Sequence, residues 1–349
     1  MDRRILALLL PLVTACSSEE SPSHRAGSTD SAAARAPAGD SGRGGEATAL
    51  SSTAGEISTP SAGDGSLAPN PTGRIPVLEY HVIGGDKNTL YTRTVASYKA
   101  DLEEAYRLGY RPVSISQMLD KDWSELPPGT TPAVFVFDDA SDSQFRYIER
   151  NGRLEIDPTS AVGIWLDFAK KHPGWKNRAV FCMLNGGAAG HNFFGDKPQF
   201  GGQKKEWRHM KVKWLADQGF ELCSHTLWHA KLNKYSDAVV QEQIARNVMG
   251  IDSAVAGYRV RTFALPYGIW PKNRQLAWRG SWTDPKTKKT HRYDFDAVLE
   301  VAGGPARSPY DPQFNPKSIN RIEAIGNDVS RYLNKLAKDG TRFVPPAKK

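Results

Sequence analysis

The sequence predicts one α/β domain over residues 74–349, built on a mainly parallel sheet or barrel. Strand-like apolar runs alternate with helical patterns throughout this region, and repeated βα units of this kind form parallel sheets. The region has the length of one large domain rather than two small ones, and it contains no internal sequence repeat.

Six runs have the composition of buried strands. They are 75–81, 111–116, 133–139, 178–184, 220–225 and 261–268. The apolar part of the third run, AVFVF, is continuous and rich in Val and Phe, which is typical of a strand buried on both faces.

Helical patterns fill the intervals between these runs. The longer ones are 97–110, 159–174, 205–219 and 236–251, and a short one follows 111–116. Ser97 is predicted to cap the first helix and Gly109 to end it. Pro173 and Gly174 are predicted to stop the second.

The first sixteen residues, MDRRILALLLPLVTAC, have the layout of a secretory signal. Arg3 and Arg4 precede an apolar run that is too short to span a bilayer. The ending VTAC resembles the cleavage box of bacterial lipoproteins, in which the cysteine becomes the lipidated first residue. We predict a lipoprotein signal peptide at 1–16, with Cys16 as the lipidation site and a membrane anchor in the cell envelope. An ordinary signal peptide with a chance cysteine is the alternative.

Residues 17–73 are dominated by Ser, Ala, Gly, Thr and Pro and show no periodic apolar pattern. Such a segment cannot bury enough apolar surface to order itself, so a disordered tether is predicted. The net charge of +8 comes from residues 74–349, because residues 1–73 carry more acidic than basic side chains. A basic domain suits anionic surroundings such as wall polymers, but scattered solvated lysines are the preferred explanation of the charge. Nucleic acid is not an expected partner, since no nucleic-acid motif is present.

Cys182 and Cys223 both lie in apolar, strand-like runs. The default expectation is a pair of buried thiols. An oxidising compartment would allow a disulfide if the two Cα atoms lay within reach.

Four strand-like runs end in residues that can take part in chemistry. These residues are His81, the pair Asp138–Asp139, His225, and the triplet Pro266–Tyr267–Gly268. In parallel α/β sheets and barrels, active sites form at the carboxyl ends of the strands. The convergence of four strand ends predicts one site.

The residue types at these ends suit a metal ion. His225 and His229 are four residues apart, a spacing that puts two imidazoles on one face of a helical turn. With one of the two aspartates they form the kind of ligand set that catalytic zinc uses, and the second aspartate is left to accept a proton. Each pattern also has a simpler interpretation: paired aspartates occur in turns, and the histidines could be one core and one surface residue.

The motifs IPVLEYHVI, FVFDDA, ELCSHTLWHAKL and FALPYG, in this order, resemble those of the polysaccharide deacetylases, the NodB-type metal-dependent carbohydrate esterases. The resemblance runs from about Ile75 to about Ile325, where INRIEAI resembles a recurring closing strand. It implies a distorted (β/α) barrel as the single catalytic domain at 74–349. It also implies a hydrolase that acts on non-peptide carbon–nitrogen bonds.

The resemblance also implies a role for each matching residue. Asp138 matches the catalytic base. Asp139, His225 and His229 match the ligands of one divalent metal ion, with zinc expected first and cobalt, nickel or iron as alternatives.

Two further roles complete the implied machinery. The backbone N–H of Tyr267 matches the group that stabilises the oxyanion together with the metal. His81 in VLEYH matches the acid of a permuted arrangement, in which this histidine protonates the leaving amine. A histidine that is merely hydrogen-bonded at a strand end is the alternative.

The chain departs from the family pattern at two positions. Ala140 stands where a glycine usually follows the two aspartates, which the backbone tolerates if φ stays negative. Ala264 stands where many relatives carry the arginine that orients the catalytic carboxylate. We hypothesise that Arg321 approaches from another strand and takes over that task.

The implied activity is metal-dependent removal of N-acetyl groups from a cell-surface or extracellular polysaccharide, with release of acetate. An O-acetyl esterase or a non-glycan amidase would use the same site. A non-catalytic glycan-binding lipoprotein on the same fold is the alternative of another class. A glycosidase is disfavoured, because the adjacent Asp138 and Asp139 cannot flank a glycosidic bond.

Overall fold

The computed structural model describes residues 67–186, 192–195 and 202–346. The signal peptide with Cys16 and most of the tether lie outside the described residues and stay predictions. Within the described part of the chain, no helix has both the length and the apolar character needed to cross a membrane.

Helices and strands alternate along the described residues. The strands are β1 (Arg74–Ile75), β2 (Val77–Tyr80), β3 (Val82–Ile83), β4 (Thr92–Arg93), β5 (Tyr110–Pro112), β6 (Thr131–Asp138), β7 (Tyr147–Arg150), β8 (Arg153–Ile156), β9 (Val180–Met183), β10 (Glu221–Ser224), β11 (Thr262–Ala264), β12 (Arg279–Thr283), β13 (Thr290–Asp294), β14 (Ala297–Gly303), β15 (Ala306–Arg307) and β16 (Ile319–Glu323). The α-helices are α1 (Val95–Arg107), α2 (Ile115–Asp120), α3 (Ala161–Lys171), α4 (Trp207–Asp217), α5 (Asp237–Ala254) and α6 (Asp328–Lys338).

Seven of the strands close into a parallel barrel. Their order around it is β2, β16, β14, β11, β10, β9 and β6, and β6 pairs with β2 again. Strand β5 adds to the barrel by pairing with the start of β6. The predicted (β/α) barrel is therefore confirmed, and its parallel strands bring their carboxyl ends to one rim.

Strand β6 shows how the barrel separates two cores. All eight of its residues are buried. Val134 and Val136 belong to the cluster that fills the barrel interior, whereas Phe135 and Phe137 belong to the cluster that packs against the helices. Because side chains alternate along a strand, Asp138 continues the inward-facing row of Val134 and Val136. The strand thus delivers one carboxylate to the mouth of the barrel.

The predicted first helix begins earlier than expected. Thr94 is its N-cap, and the Thr94 hydroxyl accepts a hydrogen bond from Ser97 N at 3.1 Å. Ser97 therefore lies inside the helix, and its prediction as the cap was wrong. Gly109 follows the helix end with φ 83°, the left-handed conformation that glycine favours at this point.

Several elements lie where the sequence pattern indicated none. They are the barrel strand β14, the hairpins β7–β8 and β12–β13, and helix α6. Strand β14 is exposed at its carboxyl end and has a central glutamate, so its sequence lacks the continuous apolar run of β6. Both hairpins are rich in charged side chains and lie on the surface, where hydrophobic patterning is weak.

Cys182 and Cys223 form a disulfide, so the expectation of buried thiols was wrong. The two residues are direct register partners on the neighbouring parallel strands β9 and β10, and their Cα atoms lie 4.1 Å apart. Both side chains belong to the barrel-interior cluster. The pairing of the two strands, which the sequence does not show, is what brings the sulfurs together.

Candidate active site

The carboxyl ends of the barrel strands surround a pocket of about 300 Å³. The predicted site residues that line it are His81, Asp138, Asp139, His225, His229 and Tyr267. Arg321, the remaining predicted residue, lies in β16 and is fully buried beneath them. The structure thus brings together every predicted site residue that it describes.

Three of these side chains form a cluster that suits a metal ion. Asp139 Oδ1 lies 3.4 Å from His225 Nε2 and 3.6 Å from His229 Nε2. The three ligand atoms all lie within 4.8 Å of one another. A carboxylate and two imidazoles at these separations can bind one divalent cation and leave further positions for water and substrate.

The orientation of His225 supports this interpretation. Its Nδ1 lies 2.9 Å from the backbone carbonyl of Ala264, which only an N–H can satisfy, so the lone pair is on Nε2. That Nε2 atom and Asp139 Oδ1 are both buried without a hydrogen-bond partner among the described residues. Two electron-pair donors that face each other in a buried site are stabilised by a cation bound between them. The residues present therefore fit a metal ion.

The neighbouring side chains keep the Asp139 carboxylate ionised. Burial would raise the pKa of Asp139, but the neighbouring His225, His81 and His229 outweigh burial and hold that pKa below its ordinary value. Burial and the neighbouring His225 lower the pKa of His229 to about 4. A carboxylate and a neutral imidazole are the forms in which these side chains bind metals.

The two histidines reach the cluster through a loop, not along a helical turn. Thr226 and His229 have φ values of 69° and 62°. The Thr226 hydroxyl accepts hydrogen bonds from the backbone N–H groups of His229 and Ala230 at 3.0 and 3.3 Å. The helical turn predicted from the spacing of His225 and His229 was wrong, although the imidazoles do converge.

The turn after β6 is equally constrained. Asp139 and Ala140 have φ values of 78° and 53°, so the negative φ under which the backbone would tolerate Ala140 without strain is not found. A left-handed conformation costs a residue with a Cβ about 1–2 kcal/mol. The turn is held by Phe194, whose backbone N–H donates to Ala140 O at 2.8 Å. The strained conformation turns Asp139 into the pocket while Asp138 remains in line with the strand.

Arg321 binds Asp138 directly. Its Nη1 lies 2.8 Å from Asp138 Oδ2, and both side chains are almost completely buried. Arg321 Nε donates to the backbone carbonyl of Glu300, which fixes the guanidinium plane. The arginine that is absent at Ala264 thus has a counterpart on another strand.

This ion pair decides the charge of Asp138. Burial would raise the pKa of Asp138, but the positive charge of Arg321 outweighs it, and the pKa lies below its ordinary value. Asp138 Oδ2 is taken up by Arg321, whereas Oδ1 is buried without a hydrogen-bond partner among the described residues. Asp138 therefore presents one ionised oxygen that can accept a proton.

Glu79 is a site residue that the sequence analysis missed. It lines the pocket from the interior row of β2, and its Oε1 lies 3.0 Å from Arg321 Nη2 and 3.6 Å from His81 Nε2. A charged residue inside the apolar run VLEY was a usable signal.

His81 stands at the end of the same strand. Its backbone carbonyl accepts a hydrogen bond from Gln144 Nε2 at 2.8 Å, and the same amide also donates to the backbone carbonyl of Asp138. The buried Gln144 therefore joins the ends of β2 and β6. Burial lowers the pKa of the His81 imidazole, and the charges of Asp138 and Asp139 oppose this effect.

Tyr267 closes the pocket on the side of His229. Its backbone is left-handed, with φ 57°, and its ring centroid lies 4.1 Å from that of His229. The side chain is 47% exposed. The tight turn after β11 thus places the backbone of Tyr267 beside the metal-ligand cluster.

Part of the domain matches a known protein family. A family model described as polysaccharide deacetylase matches residues 175–279. Over this segment the chain is similar to the polysaccharide deacetylases. The matched segment holds His225, His229 and Tyr267, whereas His81, the two aspartates and Arg321 lie outside it. No curated protein sequence matches the chain.

Solved structures of deacetylases share the fold of this domain. The deacetylase PplD of Streptococcus pyogenes, determined in complex with acetate, has a TM-score of 0.51 and 16% identity over 76% of this chain and 98% of its own. A polysaccharide deacetylase of Bacillus cereus has a TM-score of 0.50 and 15% identity, with coverages of 76% and 69%. IcaB of Ammonifex degensii has a TM-score of 0.50 and 16% identity, with coverages of 75% and 97%.

These comparisons confirm the predicted family and the predicted enzyme class, a hydrolase of non-peptide carbon–nitrogen bonds. They do not identify the ion, and the individual roles of the site residues stay predictions. The geometry adds that the cluster of Asp139, His225 and His229 can hold a metal.

Proposed function

We propose that this polysaccharide deacetylase domain is a metal-dependent enzyme that removes N-acetyl groups from a glycan outside the cytoplasm. One observation carries the proposal: the cluster of Asp139, His225 and His229 opens into the same pocket as the separately paired carboxylate of Asp138. Metal-assisted hydrolysis of an amide combines a Lewis acid for the carbonyl with a base for the water.

A divalent ion held by Asp139, His225 and His229, zinc in our proposal, would polarise the acetamide carbonyl and lower the pKa of water at the site. Asp138 accepts a proton from the attacking water through its free Oδ1. Arg321 keeps that carboxylate ionised and fixes its orientation.

The remaining two groups act on the substrate itself. The backbone N–H of Tyr267 stabilises the oxyanion that develops on the acetyl carbonyl. His81 protonates the amine as the carbon–nitrogen bond breaks. The products are acetate and a free amino sugar.

Two further observations support an acetylated glycan outside the cytoplasm as the substrate. The fold neighbour from Streptococcus pyogenes was determined with acetate, the acid that deacetylation releases. The disulfide between Cys182 and Cys223 is of the kind that persists in oxidising compartments, which agrees with the predicted export and lipid anchor.

The contact between Arg321 and Asp138 bears on the non-catalytic alternative. The absence of an arginine at position 264 and the presence of Ala140 are the two departures from the family pattern that slightly favour a binding protein. Because Arg321 supplies a guanidinium to Asp138 from β16, the absent arginine at position 264 no longer favours a binding protein.

The test is release of acetate from matched substrates. The zinc-loaded protein is incubated with N-acetylglucosamine oligomers and, separately, with O-acetylated oligomers that lack N-acetyl groups. We expect acetate and free amines from the first and at most a slow reaction with the second. Faster release from the second would make the protein an O-acetyl esterase. No release from either, with metal bound, would favour a glycan-binding protein.

A further inference from the structure

Arg74 and Arg307 lie directly opposite each other on two neighbouring strands. They are register partners in the antiparallel pair of β1 and β15, so their side chains project from the same face of that pair. Like charges directly opposite each other on paired strands destabilise the pair. A negative charge bound between the two guanidinium groups would remove this repulsion.

The two guanidinium groups share a single carboxylate. Arg307 Nη1 lies 2.6 Å from Asp311 Oδ2, and Asp311 Oδ1 accepts a hydrogen bond from the backbone N–H of Gln313 at 2.8 Å. In the part of the chain that the structure describes, the guanidinium of Arg74 has neither a hydrogen bond nor a salt bridge. One positive charge of the pair is therefore left without a counter-charge.

Both arginines line a pocket of about 450 Å³. Pockets of this size hold ligands that are larger than an inorganic ion. The segment that leads into β16 completes the wall and contributes the amide side chains of Gln313 and Asn315. Asn315 Oδ1 accepts a hydrogen bond from the backbone N–H of Lys317 at 3.0 Å, which holds this side chain in place. Amides and guanidinium groups together suit a ligand with hydroxyl groups and a negative charge.

This pocket is separate from the catalytic pocket, because no residue lines both. It lies beside the point where the predicted tether enters the domain. Arg74 follows the last tether residue, Gly73, and the Ser308 hydroxyl after β15 donates to the backbone carbonyl of Pro71. A ligand held here would therefore contact the domain next to its predicted anchor.

We propose that this pocket binds a singly charged oxyanion, a carboxylate or a phosphodiester, on a sugar-sized unit of an anionic polymer. One such group between Arg74 and Arg307 compensates the unpaired guanidinium. The planar fork of an arginine matches two oxygens of either group. Gln313 and Asn315 contact hydroxyl groups of the same unit. The contact holds the domain on the polymer independently of the catalytic pocket.

The test titrates the metal-loaded full chain with soluble probes and follows the heat of binding. Trigalacturonate supplies carboxylates, glycerophosphoglycerol supplies a phosphodiester, and maltotriose is the uncharged control. We expect saturable binding of about one molecule per chain for at least one charged probe and none for maltotriose. The charged probe that binds identifies the group. Absence of binding by both charged probes would overturn the inference.

Arg74→Gln and Arg307→Gln each remove one guanidinium from the pocket. Their Kd for the bound probe should rise at least about tenfold, because each variant loses a hydrogen bond to a charged group. Arg279→Gln is the matched control, since it removes an exposed arginine of β12 that does not line the pocket. Equal weakening in all three variants would show general charge attraction only and overturn the inference. Tm of Arg74→Gln without probe should not fall, whereas a purely structural arginine would lower it.

Two further measurements locate the bound probe. Carboxylates also bind metal ions, so loss of binding in His225→Gln would place the probe at the metal-ligand cluster and contradict the inference. We expect binding to persist in that variant. Sedimentation with phosphatidylglycerol vesicles that depends on Arg74, without binding of the soluble probes, would assign the pocket to a membrane surface instead. None of these readouts uses deacetylation, so failure of the proposed function leaves them interpretable.

Discussion

Arg321 and Asp138, 183 residues apart in the chain, form a buried ion pair at 2.8 Å beneath the pocket. The pair joins β16 to β6, which lie on either side of β2 in the barrel. The pair occupies Asp138 Oδ2 and leaves Asp138 Oδ1 without a hydrogen-bond partner among the described residues, so Oδ1 can accept a proton. The position of the arginine along the chain differs from the family pattern, while the contact that it makes is the one that the pattern requires.

Replacing Arg321 with Ala is expected to remove most of the activity. Asp138 would lose the charge that holds its pKa down, so burial would raise that pKa. The base is active above its pKa, and the acid limb of kcat/KM should therefore move to higher pH. Because general-base catalysis contributes roughly 10²–10⁴-fold, we expect a loss of at least about 100-fold at neutral pH. The measurement is acetate release across a pH series.

Arg321→Lys is the matched control for this prediction. It keeps the positive charge but cannot contact Asp138, Glu79 and the Glu300 carbonyl at the same time. Its acid limb should move less than that of Arg321→Ala. Breaking a buried pair also costs about 3–5 kcal/mol of folding stability, so the comparison is restricted to temperatures at which both variants are folded. Unchanged kinetics in Arg321→Ala would refute the orienting role.

Substitutions of the two adjacent aspartates should have different effects: one should abolish turnover and the other should abolish metal binding. Asp138→Asn is expected to retain about one divalent ion per chain and to lose turnover, since the amide cannot accept the proton. Asp139→Asn and His225→Gln should lose the ion, because each removes a ligand of the cluster. The readouts are elemental analysis and acetate release on the same samples. Loss of metal from Asp138→Asn would reassign Asp138 as a ligand.

The same ion should stabilise the fold. Binding to the native state alone raises the free energy of unfolding by about 2.7 kcal/mol when the free metal is a hundredfold above its Kd. A chelator should therefore lower Tm of the unmodified protein and leave Tm of His225→Gln unchanged. Equal shifts in the two proteins would show that the chelator acts elsewhere.

The sequence could predict the barrel and most of the site because these depend on local signals. Continuous apolar runs mark strands such as β6, and polar residues directly after them mark the rim that parallel strands share. His81, Asp138, Asp139 and His225 were all found in this way. The resemblance to a known family supplied their expected roles.

Other features depend on which strands become neighbours, and no local signal reports that. The Cys182–Cys223 bond and the contacts of Glu79 exist because β9 pairs with β10 and because β2 lies between β16 and β6. Strand β14 was missed because tertiary context, not composition, holds it in the barrel. The positive φ of Ala140 was missed for the same reason: the turn is imposed by the residues around it.

Substitution of Ala140 tests whether the turn after β6 holds its positive φ. Ala140→Gly relieves the strain of φ 53° but adds entropy to the unfolded chain, so the free energy of unfolding should change by less than about 1 kcal/mol. Ala140→Val introduces a β-branched side chain at a positive φ and in a fully buried position, which should cost roughly 1–3 kcal/mol. Denaturant unfolding of the metal-loaded variants measures both. A Val variant as stable as the Gly variant would mean that the turn can relax.

Because Cys182 and Cys223 share one bond, the losses of folding stability in their single variants should not add in the double variant. Cys182→Ala and Cys223→Ala each break the same bond, so each single variant and the double variant should lose about the same stability, about 2–5 kcal/mol. Two unpaired buried thiols would instead give losses that add. The comparison uses chains that begin after Cys16, unfolded in denaturant without a reductant. Thiol labelling of the unfolded parent chain should detect no free cysteine, and two labels per chain would refute the bond.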